Sequence, residues 1–229
     1  MPTGHQPARA RLEGRVRRVP ARGQGGFSLI EILVVLTLIG LLMTFGFNAM
    51  QGAMEAGRVT KCGKNLSEMG QSLMLYRERN KNRWPSEGGI RFLLTLHKHK
   101  EVTGRNAEIF LCPGTNDVND DGPSGEIGSA YDDWESISSA SISYAGRDVE
   151  AYPIRGSNEE NEVMAADDNE FGPNHKTVTN ILYGNGAVVS FDLPIEGEQI
   201  LVEYPEYEDL GLPVGPESPY APLQVLRRD

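Results

Sequence analysis

The sequence is poor in the residues and motifs that enzymes use for catalysis. It has four histidines and two cysteines in 229 residues, and it contains no Gly-x-Ser-x-Gly elbow, no His-Glu-x-x-His pair and no Walker-type phosphate loop. Basic residues are also scarce, since 22 Lys and Arg face 32 Asp and Glu, for a formal net charge of -10. Because contacts to phosphates need a basic surface, this composition argues against nucleic-acid binding. The missing motifs argue against an enzyme.

A long apolar run with a single carboxylate begins directly after Gly26. From Phe27 to Ala49 the only charged residue is Glu31, and at about 1.5 Å per residue this stretch can cross a hydrocarbon core of about 30 Å. Six arginines and one glutamate precede it, and positive flanks stay on the cytoplasmic side of a membrane. A carboxylate inside a bilayer is costly, so Glu31 predicts a function and a specific partner.

The residues from Gly26 to Glu31, Gly-Phe-Ser-Leu-Ile-Glu, and the apolar run after them resemble the processing site of type IV prepilins and of type II secretion pseudopilins. The resemblance implies that a prepilin peptidase cuts after Gly26 and methylates Phe27. It also implies that Glu31 of one subunit neutralises the Phe27 amine of a neighbouring pilin or pseudopilin subunit in a filament. The expected location is the inner membrane, with the globular part periplasmic or extracellular and a net charge of -15 once the leader is removed.

Three alternatives stay open for this segment. A secretory signal peptide has a similar charge pattern, although its apolar core is usually shorter and its cut site follows that core. An anchor that is never cut needs neither the Gly26–Phe27 junction nor Glu31, and it would make the chain a membrane-anchored binding module that does not polymerise. Glu31 could also be tolerated in lipid by reaching toward the interface.

The rest of the chain predicts an α+β, pilin-like fold in which a long spine helix packs against a small antiparallel sheet. Apolar residues recur every three or four positions from residue 53 to residue 76, which extends the helix until Pro85 forbids continuation. A shorter helix is expected over Ile90 to Lys100. Residues 109–113 are expected to form a short buried strand or an extended entry. Strand-like runs follow at residues 142–144, 163–165, 179–183 and 187–191, and Asn185-Gly186 between the last two is a hairpin signal.

The predicted organisation has four parts. A cytoplasmic leader covers residues 1–26, and the membrane-spanning half of the spine helix covers residues 27–50. A globular domain covers residues 51–193. Residues 194–229 form a tail that is acidic and rich in proline. Because its sequence shows little periodicity, this tail is expected to be extended or partly disordered.

Nine residues separate His175 from Asn185-Gly186, a spacing similar to that of the prepilin-type processing-associated H-X9-DG domain. Three further segments add to this resemblance, namely residues 61–76, Phe-Leu-Cys-Pro at 110–113 and Ala-Ala-Asp at 165–167. This sequence departs from the family at Asn185, where the family has aspartate, although both residues suit a turn. The resemblance implies a pilin-like fold and leaves the role of His175 open. A structural hydrogen bond from His175 to the hairpin is the alternative.

The two cysteines, Cys62 and Cys112, are expected to pair outside the cytoplasmic membrane. The bond would close a loop of about fifty residues and stabilise the fold by about 2–4 kcal/mol. Two buried free thiols are the alternative. A zinc site is not expected from two cysteines without convergent histidines.

An acidic loop offers a candidate calcium site, and Ca²⁺ is the one cofactor that the sequence suggests. Asp117, Asn119 and Asp121 supply oxygens at alternate positions, followed by Gly122 for a sharp turn. The loop is incomplete, because Gly128 stands where an EF-hand has its bidentate glutamate. A solvated turn is the alternative. His97 and His99 are expected to form a solvated helix end, and a metal role is the alternative for them.

Overall fold

The computed structural model describes residues 26–155, 159–167, 174–175 and 177–228. The side chains of residues 45, 48 and 49 and the predicted leader, apart from Gly26, lie outside the described residues. The chain divides into two compact units, Met1–Phe47 and Asn48–Asp229.

The longest element is helix α1, Leu29–Arg79, with 51 residues. It ends where Lys81 and Asn82 take positive φ angles of 57° and 59°, and Pro85 follows. The end predicted from the sequence is therefore confirmed. Within the residues described, no helix combines the length and the apolar character needed to cross a membrane, and the predicted span over residues 27–50 stays a prediction.

The second unit has its main core against one face of α1. Five apolar residues of α1 at three- and four-residue spacing are buried there: Cys62, Leu66, Met69, Leu73 and Tyr76. Helix α2, Ile90–Lys98, buries Phe92, Leu93, Leu94 and Leu96 in the same core. The sequence period of α1 therefore also identifies the face that it buries.

A five-stranded antiparallel sheet covers this core in the order β4-β3-β2-β1-β5. Its strands are β1 Tyr144–Arg147, β2 Val163–Asp167, β3 Val178–Tyr183, β4 Val188–Asp192 and β5 Leu226–Arg227. The central strand β2 is buried at every position. With the long helix this sheet confirms the predicted α+β, pilin-like architecture.

The β3–β4 connection is the tight hairpin that Asn185-Gly186 predicts. Gly186 has a φ of 82°, in the left-handed region that favours glycine. The Gly186 N–H donates to the Tyr183 carbonyl at 2.9 Å, and the Asn185 side-chain oxygen accepts from the Ala187 N–H at 2.9 Å. An aspartate at position 185 would offer the same oxygen, so the departure from the H-X9-DG pattern preserves the turn.

Two sequence predictions about local structure are wrong. The run at residues 109–113 is not a strand, because a 3-10 helix, Gly104–Phe110, occupies its first part with Ile109 and Phe110 buried. A short apolar run fits a buried helical turn as well as a buried strand. The segment from residue 194 onward is not simply extended either. It contains α3 Leu193–Glu196, α4 Glu198–Glu203, α5 Tyr207–Leu210 and strand β5.

The tail folds because it carries its own apolar anchors at irregular spacing. Leu212, Leu223 and Leu226 are buried with Phe191 and Leu193 in a second cluster. Strand β5 then pairs with β1, with Arg227 opposite Gly146 and Leu226 opposite Arg147. Because these buried residues are irregularly spaced, the sequence of the tail shows neither a helical nor a strand period. The proline-rich, acidic composition alone then indicates an extended chain.

Candidate functional site

The predicted processing junction lies ahead of the first residue of α1. Gly26 and Phe27 are both exposed and outside regular structure, and the Phe27 side chain is 84% exposed. A Cβ added at Gly26 would meet nothing within 4 Å. Among the described residues, no neighbour therefore requires a glycine at this position.

Glu31 caps the start of α1. Its Oε2 accepts a hydrogen bond from the Ser28 N–H at 2.8 Å, while the Ser28 carbonyl accepts from the Glu31 N–H at 3.0 Å. A carboxylate three residues after a serine that returns to that serine's N–H is half of a capping box. The sequence analysis missed this second role of Glu31, although the Ser-x-x-Glu spacing indicates it.

The predicted disulfide is confirmed. Cys62 of α1 is bonded to Cys112, which follows the 3-10 helix, and their Cα atoms are 5.3 Å apart. Both cysteines are buried. The bond closes a loop with a sequence separation of 50 residues and ties α1 to the segment that leads toward β1.

His175 lies against this disulfide, which the sequence analysis did not foresee. Its Nε2 is 3.4 Å from the Cys112 Sγ and 3.8 Å from the Asp167 Oδ2. Its Nδ1 is 3.2 Å from the Glu55 Oε1 on α1. The premise that no histidine converges on the cysteines is therefore wrong, because residues far apart in sequence meet here.

The His175 ring is fully buried, and its surroundings favour the neutral form. Burial lowers the pKa of His175 from its ordinary value of 6.5, while the hydrogen bond and charge of Glu55 oppose that shift and Arg58 adds to it. A neutral ring that donates from Nδ1 to the Glu55 carboxylate leaves the Nε2 lone pair facing Cys112. The ring is thus oriented by α1 toward the sulfur.

A hydrogen-bond network holds the carboxylate beside His175. The Asn180 backbone and side-chain N–H groups donate to the Asp167 Oδ2 at 2.9 and 2.7 Å, and Ser190 donates to the Asn180 side-chain oxygen at 2.7 Å. Among the described contacts of His175, the polar partners are Glu55, Cys112 and Asp167 rather than the residues of the turn. His175 therefore lies at the disulfide, and Asn185 and Gly186 lie in the hairpin.

The three candidate calcium ligands have different local roles. The Asp117 carboxylate accepts from the Ser143 hydroxyl, and the buried Asn119 amide donates to the Ala107 carbonyl and the Tyr131 hydroxyl. Asp121 is exposed. These contacts use part of the predicted ligand set to build the loop, and calcium binding stays a prediction.

His97 and His99 lie near the end of α2, as predicted. His97 Nε2 is 3.8 Å from the Asp132 Oδ1, and the His99 ring packs edge-on against Tyr76. In the part of the chain that the structure describes, the group of three or more His, Cys, Asp or Glu ligands close enough for a metal is Cys62, Cys112 and His175. Neither histidine of α2 belongs to it.

Comparison with known proteins supports the N-terminal site. The family described as the prokaryotic N-terminal methylation motif matches residues 21–47 of this chain. No curated protein and no solved structure matches the chain. The matched residues contain Gly26, Phe27 and Glu31, so the likeness to a prepilin peptidase substrate rests on this segment, and the H-X9-DG resemblance stays a prediction.

Proposed function

We propose that the chain is a prepilin-like subunit that is cut after Gly26, methylated at Phe27 and assembled into a type IV pilus or a type II secretion pseudopilus. The observation that carries the proposal is the methylation motif at residues 21–47. Its junction is exposed and precedes the helix. In this role the chain is the substrate of a peptidase and a structural component rather than a catalyst.

The environment of the first part of α1 supports assembly. Large apolar side chains are exposed from Phe27 to Met54, including Leu29 at 83% and Leu36 at 63%. A continuous apolar surface of this kind marks contact with a membrane or with other proteins. Lipid before assembly and neighbouring helices afterwards would both cover it, which matches the two states of a pilin-like subunit.

The first test is the mature N-terminus. We expect mass spectrometry of the membrane fraction to find a chain that begins at methylated Phe27. The matched variant is Gly26→Leu, which should remain uncut. Because a Cβ at position 26 would meet no described neighbour within 4 Å, we expect the second unit of this variant to fold normally, so that failure to cut it would reflect recognition by the peptidase. An intact Met1 in the wild type, or a cut after the apolar run, would contradict the proposal.

The second test separates the two roles of Glu31. Glu31→Gln keeps a side-chain oxygen for the Ser28 N–H but removes the charge, whereas Glu31→Ala removes both. If the carboxylate pairs with the Phe27 amine of a neighbouring subunit, both variants should fail to appear in sheared filaments, since an uncompensated buried charge costs several kcal/mol. Assembly of Glu31→Gln at the wild-type level would show that the cap alone is needed. Normal assembly of both variants would instead favour the anchored binding module.

A further inference from the structure

We propose that Cys62, Cys112 and His175 form a binding site for Zn²⁺ when the disulfide is reduced. The two Sγ atoms and one ring nitrogen of His175 lie within 4.8 Å of one another, and all three residues are buried. Thiolate and imidazole are the ligands that Zn²⁺ prefers in proteins. Opening the S–S bond would separate the sulfurs and leave space between them and the ring for the ion.

The orientation of His175 is the independent observation that points to a metal. A histidine that binds zinc almost always donates its second ring N–H to a carboxylate or carbonyl, which fixes the ring and raises its basicity. Here Glu55 occupies that position, 3.2 Å from Nδ1, and Nε2 faces the Cys112 sulfur at 3.4 Å. The arrangement of carboxylate, imidazole and sulfur is therefore in place before any metal is bound.

The remaining coordination position faces Asp167 or water. The Asp167 Oδ2 is 3.8 Å from Nε2, and two donors of Asn180 hold it in place. Three protein ligands with a fourth position for a carboxylate or water make a common zinc geometry. Glu55 acts on the ion through His175, so it is a positioning residue rather than a ligand.

The disulfide and the metal exclude each other. A dithiol transfers two electrons and two protons to the S–S bond and becomes a disulfide itself, whereas a phosphine reacts together with one water molecule and becomes a phosphine oxide. Either reaction leaves two thiols on the protein. Binding of Zn²⁺ then releases two protons as both thiols become thiolates. While the ion is bound, the thiolates cannot re-form the disulfide without releasing it, so zinc should slow re-oxidation.

The test uses the full chain in detergent micelles, reduced with a water-soluble phosphine or left oxidised. Zn²⁺ is titrated in competition with a chromophoric chelator. We expect about one tightly held Zn²⁺ per reduced chain and none per oxidised chain. Substitution with Co²⁺ should give the sulfur-to-metal absorption band of a thiolate site. Equal zinc binding by the reduced and oxidised chains would overturn the proposal.

Variants identify the ligand set. Removing the imidazole in His175→Ala should weaken zinc binding by more than tenfold, and Glu55→Gln should weaken it by about 10- to 100-fold through the loss of its hydrogen bond. His99→Ala, which removes a histidine outside the group, is the matched control and should bind like the wild type. Wild-type affinity in His175→Ala would show that the cysteines alone hold the ion and would overturn the site.

Circular dichroism measures whether the reduced chain is folded. If the reduced chain unfolds without metal, zinc should restore its helical signal, because an ion that binds only the native state stabilises it. A reduced chain that unfolds and is not restored by zinc would contradict the proposal. Normal disulfide formation in oxidised His175→Ala would show that this variant still brings the cysteines together.

Discussion

Two stretches of the same helix have opposite environments. Between residues 29 and 44 of α1 every described residue is exposed. Between residues 62 and 76, Leu66 and Met69 are completely buried and Leu73 nearly so. Both stretches are rich in apolar residues, but in the second they recur every three or four positions with charged residues between them.

The difference shows how spacing determines what a helix can do. Apolar residues that recur at the helical period form a stripe on one face of the helix, and one partner surface can cover that stripe. The second unit supplies this surface within the chain. A helix that is apolar all round has more surface than one such partner can cover. The described residues therefore cover one face of the second stretch and leave the first stretch exposed.

The largest effect should come from the apolar side chains of the two stretches. Leu66→Ala leaves a cavity in the main core and should lower the free energy of unfolding by about 2–5 kcal/mol. The matched change Leu36→Ala removes a side chain that is 63% exposed and should leave the stability of the second unit unchanged. Urea unfolding of both variants in detergent, followed by tryptophan fluorescence, measures this contrast. Equal losses would mean that the first stretch also packs within its own chain.

The next effect concerns the cross-link of the second stretch. Loss of the Cys62–Cys112 bond in a double alanine variant should lower the free energy of unfolding by about 4 kcal/mol, since the closed loop spans 50 residues. Unfolding curves of the oxidised wild type and of this variant, both with a chelator present, give the difference without any contribution from metal. A loss below about 1 kcal/mol would indicate that the loop is held in the unfolded chain by other contacts.

Local sequence signals predicted the features that depend on nearby residues. The period of the apolar positions gave the end of α1 and its buried face, and Asn185-Gly186 gave the hairpin. The Ser28–Glu31 cap was equally local, and it was missed because Glu31 was considered only as a charge in lipid. The disulfide followed from the expected compartment and the even number of cysteines.

Features that depend on docking could not be predicted in the same way. His175 is 63 residues from Cys112 and 120 residues from Glu55 in sequence, so their convergence depends on the packing of distant parts of the chain rather than on neighbouring residues. The fold of the tail depends on a second apolar cluster and on pairing of β5 with β1. Neither the contacts of His175 nor the fold of the tail produces a periodic pattern in the local sequence.

Replacing polar side chains of α1 should have a smaller effect on the free energy of unfolding. Asn65 is buried and donates to the Leu111 carbonyl at 2.8 Å and to the Tyr144 hydroxyl at 3.3 Å. Asn65→Ala should therefore cost about 1–3 kcal/mol, because it leaves buried acceptors without their donor. The Thr37 hydroxyl donates to the Leu33 and Val34 carbonyls of its own helix, and Thr37→Ala should change stability by less than about 0.5 kcal/mol. Thermal melts of the two variants test the contrast, and a silent Asn65→Ala would mean that water replaces the lost donor.

The smallest expected effect concerns the melting temperature when either of two glycines of α1 is replaced by alanine. Both glycines lie in the second unit, and the two replacements should change the melting temperature in opposite directions. A Cβ at Gly57 would meet nothing within 4 Å, whereas a Cβ at Gly70 would lie 2.8 Å from the Leu182 Cδ1 and 3.5 Å from the Gly186 Cα. Alanine favours a helix over glycine by about 1 kcal/mol, so Gly57→Ala should stabilise by up to that amount. Gly70→Ala gains the same helical preference but must displace a buried leucine methyl group beside the hairpin, and overpacking of this kind costs about 1–3 kcal/mol. We therefore expect melting temperatures to rise for Gly57→Ala and to fall for Gly70→Ala. If both rise equally, the sheet is free to move away from α1 at Gly70, and close packing of the hairpin does not require a glycine there.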